Sequence, residues 1–138
     1  MSHTIRVKKI QMNDMEALQL AVENNPKIHF VSPTGQEVTG IDAATGEHQL
    51  YGGTPTGIGI KLPGWKYPVV IDSTTGNISY DNYGGSWGKQ DEIDGLAQGY
   101  VVEKTRLQAM AMNIQMANEE TLEDGSIEMT YNVYDTVG

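Results

Sequence analysis

Hydrophobic and polar positions change rhythm several times along the chain. Residues 3–10 alternate, with Ile5 and Val7 on one side and Thr4, Arg6 and Lys8 on the other. A period of two predicts a strand with one packed face. Met15, Leu18 and Val22 then recur at i, i+3 and i+7, with Ala17 and Ala21 beside them, which predicts a first helix. Asn13 and Glu16 have capping-box spacing at its start, and Asn24-Asn25-Pro26 ends it, because proline cannot continue the hydrogen-bond ladder. A second helix is expected from Gln90 to about Ala109, with Ile93, Leu96, Tyr100 and Leu107 on one face. Gly95 and Gly99 lie inside it and suit a close approach to the sheet. Finally, Met112, Ile114 and Met116 alternate, Glu123-Asp124-Gly125-Ser126 turns, and Ile127, Met129, Tyr131 and Val133 alternate again. This is a hairpin pattern.

Between the helices the rhythm is shorter. Expected strands are 28–31, 48–51, 56–62, 67–72 and 77–80, separated by Ser32-Pro33-Thr34-Gly35, Pro63-Gly64 and Ser73-Thr74-Thr75-Gly76 turns. Ile41-Asp42-Ala43-Ala44-Thr45-Gly46 echoes Ile71-Asp72-Ser73-Thr74-Thr75-Gly76, and both read as hairpin turns. Two copies are too few for a solenoid, and EF-hand calcium spacing is absent. The order β-α-β(n)-α-β-β predicts an α+β fold: an antiparallel multi-stranded sheet with two helices packed on one face, a single domain over residues 1–138.

Composition narrows the function more than the fold. A chain of 138 residues with 38% hydrophobic and 20% charged positions can build its own core. There is no cysteine, so disulfides, thiolate zinc sites and a cysteine nucleophile are all excluded, and a cytoplasmic location is expected. The opening MSHTIRVKKI has charge without an apolar run and does not read as a signal peptide; no stretch is apolar enough for a membrane span. A net charge of −9 disfavours a DNA or RNA polymer as partner. Four methionines near the final hairpin, Met110, Met112, Met116 and Met129, are expected in the core, with a homo-oligomer contact as the alternative.

Met1-Ser2-His3, the helix containing Leu18, the run Ile114-Gln115-Met116-Ala117 and the segment Glu123-Asp124-Gly125-Ser126-Ile127 resemble the family called domain of unknown function 1257. That family includes the plastid and cyanobacterial hypothetical chloroplast open reading frame 35 proteins and bacteriophage members. The resemblance spans about the first 25 and about the last 50 residues; residues 32–87 are longer and richer in glycine than the plastid pattern. It implies no catalytic residues. It implies an AAA-type ATPase as a partner to consider, and, through the phage members, a viral setting in which the location is the host cytoplasm.

No catalytic constellation is legible. His3, His29 and His48 show neither metal-ligand spacing nor a nucleophile motif nearby; His29 is expected to be a packed or edge residue and His48, beside Glu47, to be solvated. Gly57-x-Gly59 lies inside a strand and is not a dinucleotide fingerprint. Binding has better candidates, because aromatics and glycines concentrate between residues 51 and 88. Tyr51, Trp65, Tyr83 and Trp87 could stack on a ring; Arg6, Lys8, Lys61, Lys89 and Arg106 could meet an anion; Ser86-Trp87-Gly88-Lys89 could aim backbone N–H groups at one. The expectation is a non-enzymatic, homo-oligomeric binding protein, without cofactor or metal, that holds or sequesters a small anionic or nucleotide-like ligand. In a phage that ligand would be a host nucleotide immune signal. The alternative is an adaptor docking on an ATPase or another protein through an exposed apolar surface.

Overall fold

The computed structural model describes residues 2–7, 11–112, 114–121 and 127–133, with side chains for 11–112. Its element order is β1 (Ser2–Val7), α1 (Met15–Glu23), β2 (His29–Val31), β3 (Glu37–Val38), α2 (Ile41–Ala44), β4 (Thr45–Glu47), β5 (Thr56–Lys61), β6 (Val69–Ile71), β7 (Ile78–Ser79), α3 (Gln90–Ala111), β8 (Ile114–Thr121) and β9 (Ile127–Val133). The α+β class, the antiparallel sheet and both long helices are as the sequence pattern predicts. The strands divide into two sheets. Six form one, in the order β3-β2-β5-β6-β7, with β4 pairing β5 beyond the end of β2. The other three form β1-β9-β8, so the two ends of the chain pair with each other. In that sheet β8 carries a bulge between Met116 and Asn118, which breaks the alternation begun at Ile114. The Asp124-Gly125 turn lies outside the described residues.

The central strand β5 explains the larger sheet. Its sequence Thr-Gly-Ile-Gly-Ile-Lys puts Ile58 and Ile60 on one face and Gly57 and Gly59 on the other. Ile58 pairs with Ile71 and Ile60 with Val69, so these four side chains share a face. Onto that face pack Ala17, Leu18, Ala21 and Val22 of α1 and Ile93, Leu96, Tyr100 and Val101 of α3. Both helices therefore lie on one side of the sheet, as expected. Asp14, not Asn13, caps α1: its Oδ1 accepts the Ala17 N–H at 3.2 Å. The Asp14 N–H donates to the Tyr100 hydroxyl at 2.9 Å, which ties the start of α1 to α3.

The smooth glycine face is covered by a different device. His48 is 2% exposed, and its Nε2 lies 2.7 Å from the Ala44 carbonyl oxygen. Its ring lies where a side chain on Gly59 would stand. The sequence pattern predicts a strand over 48–51 and a solvated His48. Instead β4 ends at Glu47, and His48 and Leu50 are buried. The absent Cβ at Gly59 makes room for the imidazole.

The two copies of the Ile-Asp-x-x-Thr-Gly echo fold differently. Around Asp72 the predicted turn forms: Oδ1 accepts the Thr74 and Thr75 N–H groups at 2.8 and 2.9 Å, and Gly76 adopts φ +75°. Around Asp42 the chain forms the short helix α2, because Gln19 Oε1 accepts the Ile41 N–H and the Thr45 hydroxyl donates back to the Ile41 carbonyl. The Thr75 and Thr74 donors hold the Asp72 carboxyl below the usual carboxylate value. A depressed folded value means a contribution present above the unfolded pKa, about 4, and lost as pH falls through the lower folded one. Asp72→Asn keeps an acceptor without the charge. The variant should be less stable than the parent in urea at pH 7, and the gap should narrow as the pH falls below about 4. A gap independent of pH would show that the charge contributes nothing.

Along α3, Gly95 has no neighbour within 4 Å of a built Cβ, and Gly99 would meet only Ala21 at ordinary contact distance. The expected tight approach therefore does not involve Gly95. Gly95→Ala should stabilise the protein by about 0.5–1 kcal/mol, since alanine loses less backbone freedom in a helix. Thermal denaturation reads this as a higher Tm; an unchanged or lower Tm counts against an open site. Met110 and Met112, expected in the core, are exposed. Among the described residues no helix is long and apolar enough to cross a membrane.

Candidate functional site

The most unusual local geometry lies between β7 and α3. Asn82 accepts at its carbonyl from the Gly85 and Trp87 N–H groups, at 3.0 and 2.9 Å, closing a tight loop. Within it Tyr83, Gly84 and Gly85 have φ of 47°, 63° and 101°. Tyr83 is the one non-glycine with positive φ among the described residues. A bulky residue held there is strained, and such strain collects at functional sites. The loop is tied to the segment after β5 by the Lys66 N–H, which donates to the Trp87 carbonyl at 2.8 Å.

This pairing gathers aromatic rings from three separate segments around Trp87. Tyr83 stacks on it at 4.6 Å with 23° between planes. Tyr51 and Tyr67 present edges at 5.2 and 5.7 Å. The Lys66 ammonium sits 4.5 Å from an indole centroid. Such ring pairs and cation contacts contribute about 0.5–1.5 kcal/mol each. Yet Tyr51 and Tyr83 remain 69% and 64% exposed, so the cluster is a platform at the surface.

Beside it lies an open groove of about 620 Å³ between residues 50–55 and 78–81. Tyr51 falls in sequence between Leu50 and Gly52 of one wall, and the other wall leads through Asn82 to Tyr83. Leu50 and Ile78 supply its apolar part; Thr54, Ser79, Tyr80 and Asp81 supply its polar part. Among the described residues no Lys, Arg or His lines it.

Of the residues singled out from sequence, Tyr51, Tyr83, Ser86 and Trp87 come together in this region. Trp65 does not join them as a stacking surface. It is 2% exposed, its indole N–H donates to the Lys89 carbonyl at 3.2 Å, and Gly88 and Tyr80 lie against its ring. Lys89 is exposed at the start of α3, but Asp91 and Glu92 occupy the first turn and already complement the helix dipole. The expected backbone anion site at residues 86–89 is thus opposed by two carboxylates. Lys61 is at the end of β5, where partial burial pulls its ammonium below the ordinary value. Arg106 lies about 25 Å along α3 from Lys89 at 1.5 Å per residue, and it pairs with Glu103 at 3.2 Å. The side chains of Arg6 and Lys8 lie outside the described residues.

No family model, curated protein or solved structure matches this chain.

Lys66, Tyr67 and Asp81 are not among the ligand contacts expected from sequence, although Tyr67 belongs to the aromatic- and glycine-rich segment 51–88 that suggests binding. The first two were legible as an aromatic-basic run, Trp65-Lys66-Tyr67, but which of its members faces the platform depends on the pairing with Trp87. A second groove, about 260 Å³, lies between the end of α1 and α3 around Gly95, Gly99 and Glu103. The Glu103 carboxylate there is already engaged by Asn24 at 3.0 Å and Arg106. Among the described residues no group of three or more His, Asp or Glu side chains could hold a metal ion, and no buried side-chain polar atom lacks a partner.

Proposed function

We propose that this protein binds a small nucleotide-like ligand, stacking its flat ring on the exposed aromatic platform, and works by holding it. The observation that carries this reading is the convergence of Tyr51, Tyr67 and Tyr83 on Trp87 with the Lys66 ammonium over the indole. Exposed rings already oriented by their neighbours lose little freedom when a ligand stacks on them. Lys66, and Lys89 at the neighbouring helix start, are the cations suited to an anionic group at the ligand's outer end. A sequestering role asks nothing more of the site than affinity.

The two tryptophans make the test direct. Trp65 is enclosed, whereas Trp87 is half-buried against the exposed rings of Tyr51 and Tyr83, so a ligand stacking on those rings should quench the emission of Trp87. Titration with nucleoside monophosphates and cyclic nucleotides should give saturable quenching and a rise in Tm. Trp87→Ala should weaken binding by about 1–3 kcal/mol, roughly 5- to 150-fold. Absence of both signals at millimolar nucleotide would overturn the proposal, and co-purification with a large protein would then favour the adaptor reading.

A further inference from the structure

The groove beside the platform has chemistry of its own. Its volume, about 620 Å³, lies within the range of small-molecule sites. Among the described residues that line it, Asp81 is the one carboxylate, half-buried and without a hydrogen bond or ion pair to any described residue. Gly52 faces that carboxylate: a Cβ there would stand 3.8 Å from Asp81 Oδ2, and glycine leaves the approach open. With an acid inside and no cation among the described residues of its walls, the groove repels a phosphate. It suits a neutral or cationic group that donates hydrogen bonds.

If the platform binds a nucleotide-like ligand, as proposed above, the base end must enter the groove and the phosphate must leave it toward the lysines. The carboxylate then selects among bases. Ionised Asp is acceptor-only, with two oxygens that receive a pair of parallel donors. Guanine offers two adjacent donors, N1–H and the N2 amino group. Adenine and cytosine offer one amino donor beside a ring nitrogen acceptor, and uracil offers one N–H between two carbonyls. Each of these sets an acceptor against a carboxylate oxygen.

The geometry points to a guanine-type base in this groove, its N1–H and N2–H donating to Asp81 while Tyr51 or Tyr83 covers the ring. The inference rests on the platform reading and adds base identity to it.

GMP, IMP and AMP separate the claims. IMP keeps N1–H and lacks the N2 amino group. Calorimetric titration of the full chain should show GMP binding roughly 10- to 100-fold more tightly than AMP, with IMP between them. Asp81→Asn should abolish that preference, because a carboxamide presents one acceptor and one donor, and its Tm should stay at the parent value. Equal binding of all three, weakened alike by Trp87→Ala, would overturn the role of Asp81 and leave the platform standing. A preference for GMP that survives Asp81→Asn also overturns it. Failure of all three to bind removes both readings together.

Discussion

Trp65→Ala is expected to destabilise the protein by about 3–5 kcal/mol, the range for deleting a large aromatic from a core. The indole is 2% exposed and belongs to the same buried cluster as Ile60, Leu62 and Leu96. Truncation would open a cavity, strip the Lys89 carbonyl of its indole donor, and leave Tyr80 without the ring it meets edge-on at 5.8 Å. Domains of this size have about 5–15 kcal/mol in total, so roughly a fifth or more of the stability is at stake. Urea unfolding followed by circular dichroism should show the midpoint falling with little change in slope. Trp87→Ala is the matched comparison. Trp87 is half-buried and its neighbours Tyr51 and Tyr83 are exposed, so its removal should affect stability less and binding more. If Trp65→Ala lost less than about 1 kcal/mol, the division into one core and one surface tryptophan would be wrong.

That division marks where the sequence stopped being informative. Both tryptophans sit beside glycine, in Pro63-Gly64-Trp65 and Trp87-Gly88, and nothing local distinguishes them. What separates them is a long-range contact: a Cβ at Gly88 would collide with the Trp65 ring. Periodicity located α1 and α3 because their burial follows one face, and the Asp72 turn was legible because its hydrogen bonds are local. The same reasoning failed at Asp42, where Gln19, more than twenty positions earlier, supplies the cap. The platform was half-legible. Its tyrosines and glycines are concentrated in sequence, but the placement of Lys66 over Trp87 requires two loops to be held in register by one backbone hydrogen bond.

Gly59→Ala should destabilise the protein by about 2–3 kcal/mol, within the range for overpacking, and the reason is specific enough to test by a cycle. A Cβ on Gly59 would stand 2.8 Å from both ring nitrogens of His48 and closer still to the carbon between them. The imidazole would have to move, breaking its contact with the Ala44 carbonyl. The neighbouring backbone cannot absorb the strain, since Gly59 is paired with Val70 in the middle of the sheet. His48→Ala removes the ring and creates a void where the new methyl can sit. In that background Gly59→Ala should cost under about 1 kcal/mol, giving a coupling of the size seen between touching residues. Additive losses would mean that the strand, not the histidine, rejects the methyl. The consequence reaches the site. His48 stands against Gly59 of β5, and the chain runs from it through Leu50, which lines the groove, to Tyr51. Displacing His48 should therefore weaken ring binding even at temperatures where the variant remains folded. The glycine that makes β5 a smooth strand also sets where the platform's first aromatic stands.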